Sequence, residues 1–127
     1  MKRIAIIGAG LSGLVLARRL GEVAEVTIFE KSRGVGGRMA TRYAKDYEFD
    51  HGAQFFTART SAFREFLQPL LSDRIVANWT PTFAELDRHG TRDRRAWGEQ
   101  YPHYVGVPRM NAVGKYLSTG LDIRTNT

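Results

Sequence analysis

A glycine-rich segment near the start of the chain has the residue types and the spacing of a phosphate-binding turn. The segment reads Gly-Ala-Gly-Leu-Ser-Gly at residues 8–13, and it follows the apolar run Ile-Ala-Ile-Ile. Gly8 permits a tight turn, Gly10 lets a pyrophosphate approach the backbone, and Gly13 allows a helix to pack closely on a sheet. The first turn of that helix offers free N–H groups and a partial positive charge to phosphate. We therefore expect an anion here, the alternative being an ordinary glycine turn.

An acidic residue downstream supports the same interpretation. Glu30 lies at the end of the next apolar run, close to the separation of about 20 residues found in dinucleotide sites. Its carboxylate can accept two hydrogen bonds from an adenosine ribose. Strand, glycine turn, helix, strand and acid then form one mononucleotide-binding unit of about 30 residues. The sequence thus predicts a Rossmann-type fold at the start of the chain.

A second glycine pair precedes an arginine. Gly36 and Gly37 permit another close approach to the backbone, and Arg38 carries a planar guanidinium with a permanent charge. Such a group can bind phosphate. The alternative is a flexible loop that contains an arginine without a ligand.

A third segment, Asp-His-Gly-Ala-Gln-Phe-Phe-Thr at residues 50–57, has the composition of a contact surface for a flat ring. Gly52 and Ala53 leave the backbone exposed, Gln54 carries a neutral donor and acceptor, and Phe55 begins an apolar pair that forms a wall. The alternative is a strand end followed by a turn.

Hydrophobic periodicity predicts an α/β chain. Helices are predicted at Leu11–Leu20, at Ser61–Leu71, where Pro69 marks an end or a kink, and at Met110–Leu117. Extended segments are predicted at Lys2–Ile7, Ala24–Phe29, Tyr47–Asp50, Ile75–Trp79, Thr82–Leu86, Thr91–Trp97, Tyr104–Val107 and Leu121–Thr125.

The arrangement of the strands follows from their composition. The run at Lys2–Ile7 does not alternate, so we expect burial on both faces at the centre of a parallel sheet. Leu121–Thr125 is predicted to be the third strand, paired with the second, which leaves one edge of the first strand open. Such a sheet is only one side of a doubly wound fold, so we expect residues 1–127 to be the N-terminal part of a longer protein. Residues 75–105 are predicted to form a β-hairpin excursion toward a second, β-rich domain.

Composition narrows the function classes. The chain has no cysteine, which excludes disulfides, thiolate metal sites and a cysteine nucleophile. The three histidines show no ligand spacing, so no metal is expected. The net charge is +6, but acidic residues interrupt the arginine cluster at 88–95, and no nucleic-acid partner is expected. No apolar run approaches the roughly 20 residues of a membrane span, and no leader is visible. We expect a cytoplasmic protein without a membrane partner.

Taken in order, the three segments resemble the flavin-containing amine oxidase superfamily. That group includes monoamine oxidases, protoporphyrinogen oxidase and phytoene desaturases. Gly-Gly-Arg-Met-Ala-Thr at 36–41, Asp-His-Gly-Ala-Gln-Phe at 50–55 and Pro-Arg-Met at 108–110 are most similar to renalase and its bacterial relatives.

The resemblance implies noncovalent FAD, bound extended along the chain. Gly8, Gly10 and Gly13 would lie along the pyrophosphate, and Arg38 would reach the pyrophosphate or ribityl region. Residues 52–55 would lie against the isoalloxazine ring. The implied cofactor-binding residues are Gly8, Gly10, Leu11, Ser12, Gly13, Glu30, Lys31, Gly37, Arg38, Met39, Gly52, Ala53, Gln54 and Phe55.

The implied activity is a flavin-dependent oxidation. A small-molecule substrate, expected to be a reduced nicotinamide dinucleotide or an isomer of it, would pass a hydride to the flavin, and O2 would be the acceptor. No residue is identified as a catalytic acid or base. Two alternatives use the same first segment: an NAD(P)-dependent dehydrogenase and a non-enzymatic protein resembling the GDP-dissociation inhibitors.

Overall fold

The computed structural model of the chain describes residues 1–98 and 100–127, which form ten strands, three α-helices and one 3-10 turn at Gly37–Met39. The strands are β1 (Lys2–Ile7), β2 (Ala24–Glu30), β3 (Arg42–Ala44), β4 (Tyr47–Phe49), β5 (Phe56–Thr57), β6 (Val76–Trp79), β7 (Thr82–Asp87), β8 (Gly90–Ala96), β9 (His103–Gly106) and β10 (Asp122–Thr125). The helices are α1 (Leu11–Leu20), α2 (Ser61–Ser72) and α3 (Asn111–Ser118). None of the helices in these described ranges is long and apolar enough to cross a membrane.

The first layer is a parallel sheet in the order β1–β2–β10. Ile6 of β1 lies beside Ile28 of β2, and Ile123 of β10 lies on the other side of Ile28. The last strand therefore pairs with the second, which confirms the predicted position of the third strand and the open edge of β1. The α/β fold with a parallel sheet and flanking helices is confirmed with it.

The hydrophobic core lies between one face of this sheet and helices α1 and α3. Leu14 and Ile28 are fully buried, and each contributes a large side chain to this layer. The pattern that predicted α1 is the one that fills the core, since its buried positions Leu14 and Ala17 are three residues apart on one helix face. The remaining buried members of the cluster are Ile6, Ala9, Leu70, Val76, Val113 and Leu117.

The expectation that β1 is buried on both faces is wrong for this chain. Ile6 points into the core, but Ala5 is exposed and Ile7 is 84% exposed. The reason is that α1 and α3 pack on the face that carries Ile6, and side chains of neighbouring strand residues point to opposite faces. The continuous apolar run thus has one covered and one open side.

A second, antiparallel layer follows the first unit. Its sheet has the order β5–β9–β6, so the central strand β9 joins segments that are distant in sequence. Two hairpins flank it: β7–β8, predicted from its turn residues, and β3–β4, of which only the second strand was expected. Helix α2 continues past Pro69 to Ser72 instead of ending there.

Candidate nucleotide-binding site

A cavity of about 810 Å3 lies at the carboxyl ends of β1 and β2. This position is where ligands bind in open α/β sheets. The volume is within the range of about 300–1,000 Å3 that small-molecule and cofactor sites occupy. Its wall combines two glycine segments, the end of β2 and apolar side chains from α2 and α3. The residues that line it are Ile7, Gly8, Gly10, Leu11, Ser12, Gly13, Glu30, Lys31, Ser32, Gly36, Gly37, Arg38, Met39, Ala53, Phe56, Phe63, Phe66, Leu67 and Val113.

The three glycines of the first turn have different geometric reasons to be glycine. Gly8 has a φ of +98°, which other residues rarely adopt, and its N–H donates to the Phe29 carbonyl at 2.8 Å. A Cβ at Gly13 would lie 2.2 Å from the Gly8 oxygen, so α1 packs on the turn only because this position has no side chain. A Cβ at Gly10, in contrast, would meet no atom within 4 Å. The backbone of Gly10 therefore faces the open cavity.

The N-terminus of α1 points its unpaired amides at the same space. Gly10 is the N-cap, and within the described chain no side chain caps this end and no acidic residue lies in the first turn. The first N–H groups of a helix have no carbonyl partner inside the helix, and they carry a partial positive charge. An anion placed over Gly10 would accept hydrogen bonds from these N–H groups and balance their partial positive charge, and the exposed Ser12 lies beside that position.

The Glu30 carboxylate is hydrogen-bonded to the backbone of the first glycine turn and to the backbone just after β2. Its carboxylate accepts hydrogen bonds from the Ala9 amide at 2.7 Å and the Ser32 amide at 2.8 Å, and the residue is only 7% exposed. These two amides hold the pKa of Glu30 below its ordinary value, because they stabilise the charged form more than burial disfavours it. Glu30 thus fixes the first glycine turn to the end of β2, a role that its sequence position did not reveal.

Replacing Glu30 by Gln is expected to lower stability, and the loss should depend on pH. The amide side chain keeps one acceptor and places its NH2 against a backbone donor, which costs about 1–3 kcal/mol. Because the folded-state pKa of Glu30 is lowered, its carboxylate stabilises the fold above the ordinary glutamate range of about 4.3 and loses that effect as pH falls through the lowered value. Thermal unfolding should show wild type well above Glu30→Gln at pH 7, with the gap narrowing below pH of about 4. An equal gap at both pH values would contradict this role.

The second glycine pair packs directly on the first turn. The Gly36 N–H donates to the Ala9 carbonyl at 2.8 Å, and Gly36 forms an isolated parallel bridge with Gly10. A Cβ on Gly37 would lie 3.2 Å from the Gly10 Cα. On the opposite side, a Cβ on Gly114 of α3 would lie 2.8 Å from the Gly36 Cα. The second loop is therefore held between the first turn and α3 by contacts that only glycine allows.

The third segment is attached to the second through Arg38. The Ala53 amide donates to the Arg38 carbonyl at 2.9 Å, and a Cβ on Gly52 would lie 2.0 Å from the same oxygen. Gly52 is thus required by backbone packing and does not line the cavity. The Arg38 side chain is exposed and borders the cavity beside Met39.

Beyond Gly52, side chains of the third segment divide between two spaces. Ala53 and Phe56 line the cavity, whereas Gln54 lines a separate groove. The Phe55 ring packs 4.9 Å from the ring of Trp97. Of the residues proposed from the sequence, the structure thus brings together all but Gly52, Gln54 and Phe55 around the described cavity. These three have other contacts: Gly52 packs on the Arg38 carbonyl, Gln54 lines the separate groove and the Phe55 ring packs on Trp97.

Two groups of residues at the site were not identified from the sequence. The first is the apolar stripe of α2, Phe63, Phe66 and Leu67, which was predicted as a helix face without a place in a site. The amphipathic periodicity of α2 predicted that this face of the helix is buried, but periodicity does not show which part of the protein the face packs against.

The second group is a polar network that seats α3. Asp50 accepts from the Thr41 hydroxyl at 2.6 Å and from the Met110 amide at 3.1 Å. The Asn111 amide also donates to Thr41, at 3.4 Å. A carboxylate at this end of α3 complements the helix dipole. The threonine and the aspartate of the second and third segments therefore hold the helix that carries Gly114.

A model of the NAD(P)-binding Rossmann-like domain family matches residues 6–70, which is half of the chain. The chain belongs to the NAD(P)-binding Rossmann-like domain family. The matched residues include both glycine segments, Glu30 and helix α2 up to Leu70. The part of this Rossmann-like domain that the family model covers is therefore the part that forms most of the cavity.

Curated relatives match this Rossmann-like region only. Over 51 residues, which cover 39% of this chain, it is 49% identical to 4,4'-diapophytoene desaturase (4,4'-diaponeurosporene-forming) of Staphylococcus aureus strain Newman. The same protein from strain USA300 matches equally. The match spans 10% of the length of these relatives.

Solved structures share the fold at low sequence identity. CtdE in complex with FAD and substrate 4 is 18% identical, with a TM-score of 0.58 over 99% of this chain and 30% of that one. The tetrameric form of 2-methyl-3-hydroxypyridine-5-carboxylic acid oxygenase is 19% identical, with a TM-score of 0.55 over 99% of this chain and 32% of that one. A redesigned putrescine oxidase is 24% identical, with a TM-score of 0.53 over 76% of this chain and 21% of that one. The likeness extends to the antiparallel layer, since two of the three structures cover 99% of the chain.

Proposed function

We propose that this chain is the FAD-binding part of a flavin-dependent oxidoreductase. The observation that carries the proposal is the division of one cavity into a phosphate-binding end and an apolar, aromatic end. The names of the similar proteins support it, since they include a desaturase, an oxygenase, an oxidase and a complex with FAD.

The polar end has the groups that the adenosine and pyrophosphate half of FAD needs. The amides at Gly10 and the first turn of α1 would bind the pyrophosphate, with Ser12 and Arg38 at its sides. Glu30 keeps a second lone pair on each carboxylate oxygen, so it would accept from the adenosine ribose while it binds the backbone. Lys31 lies beside that ribose position.

The apolar end suits a flat ring system. Phe56, Phe63 and Phe66 form neighbouring rings there, with centroid separations of 6.1 Å between the first two and 5.8 Å between the last two. Ala53 adds a short side chain at the same wall. An isoalloxazine ring would lie against Ala53, which is one of the residues 52–55 expected from the sequence, and against Phe56, one position beyond them.

Bound FAD would supply the hydride acceptor, and the protein would supply position and electrostatics. In this chain the α1 dipole and the Arg38 guanidinium would neutralise the pyrophosphate, and the phenylalanine walls would exclude water from the ring. As the substrate we propose a reduced nicotinamide dinucleotide or an isomer of it, with O2 as the final acceptor, in line with the resemblance to renalase. We expect the FAD to be held noncovalently, and the absence of cysteine excludes a cysteinyl attachment within residues 1–127.

The protein purified from cells is expected to be yellow and to release its flavin on acid precipitation. Release into the supernatant identifies FAD and shows that it was not covalently attached. Titration of the flavin-free protein with FAD and with NAD separates this proposal from an NAD(P)-dependent dehydrogenase, which uses the same first glycine turn. A colourless protein that binds NAD and leaves FAD in solution would refute the flavin function.

A further inference from the structure

A tyrosine on the β3–β4 hairpin has a hydroxyl that accepts a hydrogen bond from the protein and donates none to it within the described ranges. Tyr43 is 46% exposed, so its oxygen is open to solvent. The side-chain amide of Asn111, at the start of α3, donates to that oxygen at 2.8 Å. A phenol held by a donor directs its own proton toward water. The arrangement therefore suits the ionised oxygen better than the neutral hydroxyl.

The charges around this hydroxyl also favour loss of the proton. The Lys115 ammonium, one turn along α3, lies 6.0 Å from the centre of the Tyr43 ring. The Arg109 guanidinium lies 5.3 Å from the same centre. Glu48 is directly opposite Tyr43 on the paired strand, but it forms a two-point ion pair with Arg109, so those two charges balance. The net charge beside the hydroxyl is therefore that of Lys115.

The pKa of Tyr43 responds to these neighbours in the direction that the geometry requires. The hydrogen bond from Asn111 lowers it most, and desolvation acts against that effect. Lys115 and then Arg109 lower it further. The nearby carboxylate of Asp50 is hydrogen-bonded to other residues and accepts nothing from Tyr43. Tyr43 thus carries a more acidic phenol than an ordinary tyrosine.

Other tyrosines of the chain provide natural comparisons. Tyr116 is the opposite case, because its hydroxyl donates to Asp73 at 2.8 Å and this hydrogen bond raises its pKa. Tyr47, on the same hairpin as Tyr43, is more exposed at 67%. In the part of the chain that the structure describes, tyrosine hydroxyls form side-chain hydrogen bonds at Tyr43 and Tyr116 only. The chain therefore contains one tyrosine with a donor, one with an acceptor and an exposed one with neither.

We propose that Tyr43 is a nucleophilic modification site that takes a phosphoryl group. Its oxygen would attack the phosphorus of a donor that has an anionic leaving group. An O–P bond forms, the bond to the leaving group breaks and its electron pair departs with that group, while the phenolic proton passes to water. Lys115 and the Asn111 amide would then face the oxygens of the transferred group. Tyr43 does not line the nucleotide cavity, so this site does not depend on the flavin function.

A small phosphoryl donor tests the proposal on the whole chain. The probe is diisopropyl fluorophosphate, which releases fluoride, and peptide mass spectrometry follows each tyrosine adduct over time near neutral pH. We expect Tyr43 to react at least about threefold faster than the more exposed Tyr47, because, as with thiols, a lower pKa raises the ionised fraction more than it weakens the nucleophile. Tyr116 should react most slowly. The Tyr43 rate should rise with pH to a midpoint below the value of about 10 for free tyrosine.

Variants assign the effect to the two neighbours on α3. Asn111→Leu removes the donor at nearly constant size, and Lys115→Met removes the ammonium from an exposed position. Each should slow the reaction of Tyr43 by about threefold or more and leave that of Tyr47 unchanged. Lys2→Met removes the same charge from an exposed position on β1 and should change neither rate.

Two results would overturn the proposal: a Tyr47 adduct that forms as fast as the Tyr43 adduct, or a Tyr43 rate that neither Asn111→Leu nor Lys115→Met lowers. Thermal unfolding of each variant shows whether a lower rate reflects a lost fold. Titration with FAD keeps the two proposals separate. A chain that binds no FAD but reacts first at Tyr43 would retain this site and refute the flavin function, and a chain that binds FAD without preferring Tyr43 would do the reverse.

Discussion

Gly10→Val is expected to abolish nucleotide binding while the fold stays intact. A Cβ at this position meets no protein atom within 4 Å, and the backbone of Gly10 is extended at φ −74° and ψ 176°, a conformation that valine adopts readily. The added side chain would instead occupy the space over the first amides of α1. Loss of two hydrogen bonds to a charged phosphate, at about 1.5–3 kcal/mol each, corresponds to at least a hundredfold in affinity. Titration with FAD measures the lost affinity, and a thermal melt shows whether the fold is intact.

Gly13→Ala is the matched control. It changes another glycine of the same motif, but we expect it to lower stability instead of blocking the phosphate position. Its Cβ would lie 2.2 Å from the Gly8 carbonyl oxygen, so the strain falls on the packing of α1 against the turn. We expect a clear drop in melting temperature for Gly13→Ala and almost none for Gly10→Val. Normal FAD binding by Gly10→Val would show that the pyrophosphate does not lie on this turn.

Gly114→Ala is expected to lower both the stability and the nucleotide affinity, although Gly114 is far from the first glycine turn in sequence. Helix propensity alone predicts the reverse, a gain of about 1 kcal/mol for alanine inside a helix. The new Cβ would lie 2.8 Å from the Gly36 Cα and 3.2 Å from the Gly36 nitrogen, which are backbone atoms that cannot rotate away. Overpacking of this kind costs about 1–3 kcal/mol. The displaced Gly36 loop would then move against Gly10, on which it packs.

Gly34→Ala serves as the control for this prediction. It lies in the same loop, and a Cβ there would meet nothing within 4 Å. Its melting temperature and FAD affinity should match those of wild type. If Gly114→Ala proved more stable than wild type, helix propensity would dominate and α3 would have no part in positioning the second loop.

The elements that the sequence predicted well are those specified by neighbours in the chain. The strand–turn–helix–strand unit follows from a local apolar pattern and from glycines whose roles are local, as with Gly8 and Gly13. The position of β10 followed from the strand order of a doubly wound sheet. Both predictions are confirmed, the first because its signals are local and the second because few strand orders are available to such a sheet.

What could not be predicted depends on distant residues. The apolar run of β1 suggested burial on both faces, but burial depends on which elements cover each face, and Ile7 shows that one face is open here. The sheet β5–β9–β6 joins short strands that carry no pairing signal in their own sequence. The division of Gln54 and Ala53 between two spaces likewise depends on how the third segment is fixed to Arg38. Their roles in binding stay predictions.

The clamp of Gly36 between Gly10 and Gly114 has a consequence for the order in which the protein is made. Ribosomes add about 5–20 residues per second, and a nascent chain folds from its N-terminus. The first glycine turn, the second loop and α2 emerge seconds before α3, so for that interval the cavity lacks the helix that presses its second loop into place. Residues 6–70 suffice to identify the family. Without α3 the Gly36 loop is packed on one side only, so we expect the shortest nascent chain that binds FAD to extend past Gly114.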